Sequence, residues 1–319
     1  MRVLVTGGAG FVGQWLTRSL LQRGADVHLT GLGAAFSGPQ VLTADERRAT
    51  TWLTADMRNM DAVDIAVDQS KPDVVFNLAA VSFPPEADRT PTTTHDVNAL
   101  GAVRLLTSLR QRVEAGVLDP VTIVIGTGMQ YGQHPPSAMP LRETAEQRPV
   151  TTYAASKAAQ EMVSLAFFRA HGLRVICTRS FNHSGVGQAD EYLLPSLVAR
   201  ARRIRRGEER RLALGNDVVR DYLHVSDVVS AYLLLVERGS AGEAYNVSSG
   251  RGVSVRQLAE DVLLRAGTPV DISTEPSLIR ASDIPINVGS PEKLKRDTGW
   301  MPLKTHADII DDLLNAATD

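Results

Sequence analysis

The chain has 319 residues, a length typical of one large two-lobed domain or of two coupled domains. Hydrophobic residues make up 43% and charged residues 22%, so a sizeable core is available and general disorder is excluded. The 34 basic and 36 acidic residues give a net charge of −2, which offers no electrostatic basis for binding nucleic acid.

No apolar run approaches the roughly 18 residues of a membrane span, and a strand pattern begins at residue 2. We therefore expect neither a membrane anchor nor a signal peptide. The single cysteine, Cys177, excludes an internal disulfide and a thiolate zinc cluster. It favours a reducing, cytoplasmic location.

Short apolar runs alternate with helical stretches over the first 160 residues, a pattern typical of βαβ units around a parallel sheet. The runs are continuous and rich in Val, Ile or Leu, as in strands that are covered on both faces. The predicted strands are Val3–Thr6, Val27–Thr30, Val74–Leu78, Thr122–Ile125 and Val175–Thr178, and the helices between them begin near Phe11, Ala62, Asn98 and Tyr153. Right-handed crossovers then give an α/β fold with a doubly wound parallel Rossmann sheet.

The pattern loosens beyond residue 180, where we predict a smaller C-terminal lobe. Residues 183–188 are predicted to form a loop. Helices are expected over Leu193–Arg206, Val225–Arg238 and Val255–Ala266, the last capped by Ser254, with a strand at Ala244–Val247. The predicted division is a dinucleotide-binding domain at 1–179, on which residues 221–240 pack back, and a substrate-binding lobe at 180–319.

A glycine-rich turn follows the first predicted strand. Gly7, Gly10 and Gly13 form the pattern G-x-x-G-x-x-G, in which glycine allows a tight turn and lets backbone N–H groups approach a pyrophosphate. The position predicts a dinucleotide site, and an incidental glycine turn is the alternative. Residues 29–33 lack both the carboxylate that usually binds the ribose of NAD and an arginine for a 2′-phosphate. The cofactor is therefore NAD(H) or NADP(H).

Tyr153 and Lys157 stand four residues apart, so on a helix both project from one face. We expect the lysine cation to lower the pKa of the phenol, which exchanges a proton with a carbonyl oxygen during hydride transfer. Thr127 follows a strand end and offers its hydroxyl to the same oxygen. A surface tyrosine–lysine pair is the alternative interpretation.

The order of these motifs resembles the extended short-chain dehydrogenase/reductase family. The match includes Leu78-Ala79-Ala80, Asn98-Ala99-Leu100-Gly101, Thr127 before Tyr131-Gly132, and Tyr153-x-x-x-Lys157. Within that family the chain resembles the branch of GDP-4-keto-6-deoxy-mannose reductases and GDP-mannose 4,6-dehydratases, and it does so nearly to the C-terminus. The segments that carry this second resemblance are 180–188, 219–222, 280–285, 289–294 and 298–302.

The resemblance implies a catalytic triad of Thr127, Tyr153 and Lys157, with Asn98 in a supporting polar network. Asn182, Arg220 and Arg280 are implied to meet the diphosphate of a nucleotide sugar, which suits guanidinium geometry. The implied cofactor residues are Gly7, Gly10, Phe11, Val12, Gly13, Asp56, Met57, Leu78, Ala79, Ala80, Asn98, Tyr153, Lys157, Phe181 and His183. The implied substrate residues are Ser82, Met129, Asn182, Arg220, Arg280 and Asp283.

Three of these residues have a second interpretation. Asp56 either accepts a hydrogen bond from the adenine amino group or caps a turn. His183 either lies near the nicotinamide or the sugar or is a structural loop histidine. Asp283 either binds a ribose hydroxyl or caps a helix. No metal site is predicted.

Two departures from the family pattern bear on the reaction. Dehydratases of the family carry a glutamate two residues before the position of Tyr131, and epimerising GDP-fucose synthases carry a cysteine there, whereas this chain has Met129. A thioether can remove no proton, so plain hydride transfer is favoured over loss of water. The run from Tyr192 to Ser196 replaces a Thr-Arg-Lys type run of the guanine-nucleotide branch, so the diphosphate is better specified than the base.

We therefore expect an NAD(P)H-dependent reductase of the C4 keto group of a nucleotide-linked 4-keto-6-deoxy-hexose, with a GDP-linked sugar as the first candidate. The alternatives are an NAD-dependent nucleotide-sugar 4-epimerase, a 4,6-dehydratase and a redox-silent dinucleotide-binding sensor. The helices that begin near Asn98 and Tyr153 carry apolar residues on more than one face. This predicts a homodimer, and a wide core face in a monomer is the alternative.

Overall fold

The structure, a computed structural model, describes residues 1–33, 36, 40–279 and 283–316. Its strands are β1 (Arg2–Thr6), β2 (Asp26–Gly31), β3 (Thr50–Thr54), β4 (Val74–Asn77), β5 (Val121–Thr127), β6 (Val175–Ser180), β7 (Asn182–Ser184), β8 (Leu212–Leu214), β9 (Val219–His224), β10 (Ala244–Val247), β11 (Gly252–Ser254), β12 (Ile272–Thr274) and β13 (Ile286–Asn287). Its α-helices are α1 (Phe11–Gln22), α2 (Ala44–Arg48), α3 (Met60–Ser70), α4 (Pro84–Arg89), α5 (Pro91–His95), α6 (Gly101–Glu114), α7 (Thr152–His171), α8 (Leu193–Arg205), α9 (Val225–Arg238), α10 (Val255–Arg265), α11 (Glu292–Thr298) and α12 (His306–Asn315).

Seven strands form one parallel sheet in the order β10-β6-β5-β4-β1-β2-β3. The strand order runs outward in both directions from β1, which is the doubly wound arrangement. The predicted α/β Rossmann sheet is thus confirmed. All five predicted strands of the first 180 residues belong to it, and so does the strand predicted at Ala244–Val247.

Helices cover both faces of this sheet. On one face α1 and α9 enclose a core that contains Leu16, Leu20 and Tyr232. On the other face α3 and α6 enclose a second core around Val67 and Leu105. Each fully buried aliphatic side chain stabilises the fold by about 1.5–3 kcal/mol, so both layers hold the carboxyl ends of the strands in place.

A third core lies between α8, α10 and α12 in the C-terminal half. Beside it β9 is the central strand of a small sheet and pairs with β11, β13 and β7. The loop predicted over residues 183–188 is therefore corrected at its start, because Asn182–Ser184 pairs with Tyr222–His224 of β9. A partner strand some 40 residues away supplies the hydrogen bonds that no local pattern reveals.

The predicted division into two lobes stays a prediction, to which the structure adds detail. Within residues 221–240, α9 packs on the core of the large sheet. The strand β10 and the side chain of Trp300 also belong to the large sheet and its core, although both lie within the predicted lobe at 180–319. Among the described residues no helix is long and apolar enough to cross a membrane.

Candidate active site

The glycine turn between β1 and α1 leaves no room for side chains. Gly7 has a φ of +67°, and a Cβ on it would lie 2.9 Å from the Cα of Ala79. A Cβ on Gly13 would lie 2.6 Å from the carbonyl oxygen of Gly8. Gly10 is the N-cap of α1 and brings no side chain to cap the first N–H groups of the helix. The turn and these donors fit the pyrophosphate of a dinucleotide.

At the neighbouring end of β3, Asp56 is engaged with Arg58. Its carboxylate accepts from the guanidinium of Arg58 at 2.6 Å and from the N–H of Arg58 at 2.9 Å. These contacts lower the pKa of Asp56. They match the turn-capping interpretation, and the adenine contact stays a prediction. At the end of β2, a Cβ on Gly31 would lie 2.6 Å from the ring of Trp52, so a carboxylate side chain cannot enter there without displacing that ring.

The three predicted catalytic residues come from β5 and α7. Thr127 ends β5 and caps a 3-10 turn at Gly128–Tyr131, which we call the β5 turn. Tyr153 lies in the first turn of α7, whose N-cap Thr151 accepts a hydrogen bond from the N–H of Ala154 at 3.2 Å. Thr127 lies close enough to Tyr153 to lower the pKa of the phenol. The fold thus brings two of the predicted groups together.

Lys157 lies one helical turn after Tyr153, and its side chain is buried. Its Nζ donates to the carbonyl oxygen of Ile125 at 2.7 Å and to Oε1 of Gln160 at 2.8 Å. Burial lowers the pKa of Lys157 to about 7. Burial also raises the pKa of Tyr153 above its usual range, and the nearby phenols of Tyr192 and Tyr232 raise it further.

In this structure burial raises the pKa of Tyr153, contrary to the lowering that the sequence led us to expect. A raised pKa favours the reaction direction in which the phenol of Tyr153 donates its proton. A phenol with a raised pKa keeps its proton at neutral pH, and it can donate that proton to an oxygen on which negative charge develops.

Asn98 lies in a π-helical turn at Asp96–Leu100, which joins α5 to α6. Such turns often mark functional sites. Its side chain accepts from the N–H of Val81 at 2.8 Å and donates to the hydroxyl of Ser156 at 2.9 Å. Asn98 therefore ties the loop after β4 to the helix that carries Tyr153.

That loop also faces a residue that the sequence interpretation did not include in the site. The hydroxyls of Ser82 and Tyr192 are 3.5 Å apart, and the rings of Phe83 and Tyr192 meet edge-on with centroids 5.7 Å apart. Tyr192 begins the run that departs from the family pattern, which was the one available signal. Met129 follows Thr127 in the β5 turn, and its N–H donates to the threonine Oγ1 at 3.3 Å.

The two residues predicted beside the cofactor in segment 180–188 differ in their surroundings. His183 stacks on Phe11 of α1 with ring centroids 6.3 Å apart and an interplanar angle of 10°. It therefore lies beside the glycine turn. The ring of Phe181 is buried and packs on Tyr131. Phe181 thus supports the β5 turn from below, and its contact with the cofactor stays a prediction.

The predicted diphosphate residues lie on the small sheet. Arg220 of β9 is partly buried and donates to the carbonyl oxygens of Ile284 at 2.6 Å and Val219 at 2.9 Å. Among the described residues it forms no ion pair. Asn182 lies on the neighbouring strand β7, directly opposite Tyr222 of β9.

Asp283 is close enough to affect the pKa of Arg220. A cavity of about 350 Å³ is lined by Asp283 together with Asp217 and Arg256, so a ligand has room next to the Asp283 carboxylate. Arg280 lies outside the described residues.

The parallel seven-stranded sheet, the glycine turn and the tyrosine–lysine pair on one helix are together those of the extended short-chain dehydrogenases/reductases. A family model described as GDP-mannose 4,6 dehydratase matches residues 4–313, and this chain belongs to that family. The resemblance seen in the sequence is thereby confirmed.

The chain is 34% identical to the GDP-6-deoxy-D-mannose reductase of Pseudomonas aeruginosa, over 94% of this chain and 92% of that protein. It is 29% identical to the UDP-glucose 4-epimerase of Corynebacterium glutamicum, over 97% of this chain and 92% of that protein. The structure of RMD from Pseudomonas aeruginosa complexed with NADPH is similar with a TM-score of 0.83 at 31% identity, and the match covers 98% of both chains.

Proposed function

We propose that this protein reduces the C4 keto group of a nucleotide-linked 4-keto-6-deoxy-hexose, with GDP-4-keto-6-deoxy-mannose as the substrate and NADPH or NADH as the hydride donor. The observation that carries the proposal is the juxtaposition of Thr127 at the end of β5 with Tyr153 and Lys157 on α7, where Lys157 donates to the β5 carbonyl oxygen of Ile125, next to Met129 rather than a base. The relationship to a GDP-6-deoxy-D-mannose reductase supports the choice of sugar.

Each catalytic side chain then has one task. The glycine turn and the first N–H groups of α1 would hold the pyrophosphate of the cofactor, which when bound supplies the hydride that ends on C4. Tyr153 donates its phenolic proton to the C4 oxygen, so the carbonyl becomes a hydroxyl and a tyrosinate is left. The hydroxyl of Thr127 donates to the same oxygen, and Lys157 stabilises the tyrosinate through its charge.

The substrate side of the proposal rests on Arg220. A guanidinium that hydrogen-bonds only carbonyl oxygens keeps its positive charge, and a diphosphate is an anion that it can bind through charge-assisted hydrogen bonds. The cavity lined by Asp283 would give room for the nucleoside, and Asn182 would lie on the diphosphate side. Ser82 and Tyr192 would line the sugar end.

The stoichiometry of cofactor oxidation tests the proposal. Purified protein with the 4-keto-6-deoxy sugar nucleotide should oxidise one NADPH or NADH for each sugar reduced, as followed by absorbance and by mass spectrometry of the product. Turnover of a UDP- or GDP-hexose with no net oxidation would instead identify a 4-epimerase, which several relatives are.

The presence of Met129 in place of a base allows reduction to be distinguished from dehydration by experiment. Because no base stands at this position, incubation with NADP and GDP-mannose should yield no 4-keto-6-deoxy product. Detection of that product by mass spectrometry would show that another residue removes the proton. The variant Met129→Glu provides the comparison, since it restores a carboxylate at the position of the dehydratase base.

We further propose a cytoplasmic homodimer that pairs through α6 and α7. Two large apolar side chains of this region are exposed, Leu100 by 50% and Met162 by 71%. A two-fold partner would cover them. Light scattering should then give a mass near 69 kDa, about twice the 34.5 kDa of the chain, and a mass of one chain at micromolar concentration would refute the dimer.

A further inference from the structure

A buried ion pair lies directly beneath the β5 turn and has no part in the chemistry proposed above. Glu161 of α7 and Arg179 of β6 are 3% and 6% exposed. Two hydrogen bonds join them, from Nη2 to Oε1 at 2.6 Å and from Nε to Oε2 at 2.9 Å. A fully buried pair of this kind adds little stability by itself, because the desolvation of both charges opposes their attraction. Its position relative to the active site therefore calls for an explanation.

Glu161 lies on the same helix face as the catalytic pair. It follows Lys157 by four residues and Tyr153 by eight, so the three side chains form one row along α7. The row begins at the phenol of Tyr153, next to Thr127, and ends at the buried carboxylate of Glu161. Any group held by Glu161 is thus held in a fixed relation to Tyr153.

Gln130 connects this carboxylate to Thr127. Its Nε2 donates to Oε2 of Glu161 at 2.9 Å, and its Oε1 accepts from the backbone N–H of Thr127 at 2.8 Å. The side chain is completely buried. Gly126 makes the path possible, because a Cβ on it would collide with Oε1 of Gln130. The residue before Thr127 has therefore no side chain where the carboxamide passes.

The other end of the β5 turn is fixed by the same ion pair. Nη1 of Arg179 donates to the hydroxyl of Tyr131 at 2.9 Å, and that hydroxyl donates to Oδ1 of Asn246 at 2.7 Å. The β5 turn is thus held at its cap residue Thr127 through Gln130 and Glu161, and at its last residue Tyr131 through Arg179.

We infer that Gln130, Glu161 and Arg179 are positioning residues, which set the distance between the Thr127 hydroxyl and the Tyr153 phenol. All three side chains are buried beneath the β5 turn, and none is among the residues predicted to bind substrate or cofactor. Glu161 fixes the position of the β5 turn relative to the helix that carries Tyr153 and Lys157. Gln130 links Glu161 to Thr127 through its two hydrogen bonds. The inference rests on the proposed function for its kinetic test but not for its structural one.

A double-mutant cycle tests the kinetic part. Gln130→Ala should lower kcat about 10- to 100-fold, the range of losses that misplacement of a catalytic group causes, with an unchanged KM. If Gln130 acts through Thr127, then Gln130→Ala should cost no more than about 2-fold in the background of Thr127→Ala. Full additivity of the two losses would overturn the inference. Gln257→Ala, at the exposed start of α10, is the matched control and should change neither background.

Methyl NMR tests the structural part without any substrate. With 13C-labelled threonine methyl groups, the signal of Thr127 is assigned as the one that Thr127→Ala removes. In Gln130→Ala this signal should shift or broaden, because the threonine loses its backbone anchor, and in Gln257→Ala it should not move. An unchanged signal would overturn the inference even if the protein proves to have another activity.

Removal of the charge of Glu161 provides a second, independent test. Glu161→Gln keeps the shape of the side chain but removes the carboxylate, so the Thr127 signal and kcat should change in the same direction as in Gln130→Ala. If Gln130→Ala fails to fold, Gln130→Met retains the volume, removes both hydrogen-bonding atoms and enters the same cycle. A Thr127 signal that responds to neither position would contradict the inference.

Discussion

Two arginines in this protein differ in the hydrogen-bond partners of their charged guanidinium groups. Arg179 is buried beneath the β5 turn and shares two hydrogen bonds with the carboxylate of Glu161. Arg220 lies on the small sheet and donates only to carbonyl oxygens among the residues that the structure describes. A paired charge fixes its surroundings, whereas a charge without an ion-pair partner can bind an anion.

The two sides of the site differ accordingly. On the catalytic side, formed by Thr127, Tyr153 and Lys157, hydrogen bonds within the protein already hold the Lys157 ammonium and the Thr127 backbone. On the proposed substrate side, formed by Arg220 and Asn182, the ligand would balance the charge of Arg220. Changes on the catalytic side should therefore act mainly on kcat, and changes on the substrate side should act mainly on KM.

The largest effect is expected from Tyr153→Phe. Loss of the phenolic proton donor should lower kcat by roughly 10²–10⁴-fold, with little change in cofactor affinity. Tyr245→Phe is the matched control, because Tyr245 is fully buried and its hydroxyl donates to Asp297, outside the site. Steady-state kinetics with cofactor titration checks both variants. Near-normal turnover of Tyr153→Phe would break the assignment of the catalytic side.

Arg220→Ala should affect KM instead. Loss of one charged hydrogen-bonding partner costs about 1.5–3 kcal/mol, so KM for the sugar nucleotide should rise roughly ten- to a hundredfold with kcat and cofactor affinity retained. Arg220→Lys should recover only part of this, because lysine cannot form the paired geometry. Arg265→Ala, in an exposed pair with Asp311, is the control. An unchanged KM with a lowered Tm would make Arg220 a structural arginine.

The buried Lys157 should make stability depend on pH in a specific window. Its pKa is about 7 in the folded protein and about 10.4 in a free chain, so between these values the unfolded chain binds more protons. The contribution of Lys157 to stability is therefore smallest below pH 7 and rises with pH towards 10.

Urea unfolding of the wild type and of Lys157→Met at pH 7, 8 and 9 measures this effect. The difference in unfolding free energy between the two proteins should change by about 2 kcal/mol in favour of the wild type from pH 7 to pH 9. A difference that stays constant over this range would show that the lysine is not desolvated.

Sequence patterns predicted most of the Rossmann side because its signals are local. The helix Val225–Arg238 begins and ends at the predicted residues, since its apolar periodicity and its flanking residues are properties of adjacent positions. The same holds for a local signal in the C-terminal half: the predicted cap of α10 is present, with Ser254 accepting from the N–H of Gln257 at 3.0 Å. Motif order identified Thr127, Tyr153 and Lys157 as candidates in the same way.

What the sequence could not provide depends on contacts between distant residues. The short strand β7 exists because β9 pairs with it. The raised pKa of Tyr153 follows from burial, which no spacing of residues reveals. Tyr192 reaches Ser82 across 110 positions of the chain, so a family pattern marked it only as a departure.

The smallest effect on the kinetics is expected from variants of Tyr192. Because this residue lies between the two sides of the site, its variants distinguish most clearly between them. Its hydroxyl stands 3.5 Å from that of Ser82, and it lies close enough to Tyr153 to raise the pKa of that phenol. A neutral hydrogen bond contributes about 0.5–1.5 kcal/mol, so Tyr192→Phe should raise KM about 3- to 10-fold and leave kcat within about 2-fold. Tyr192→Ala should cost more, since it also removes the packing on Phe83. A loss confined to kcat would instead place Tyr192 on the catalytic side, next to Tyr153.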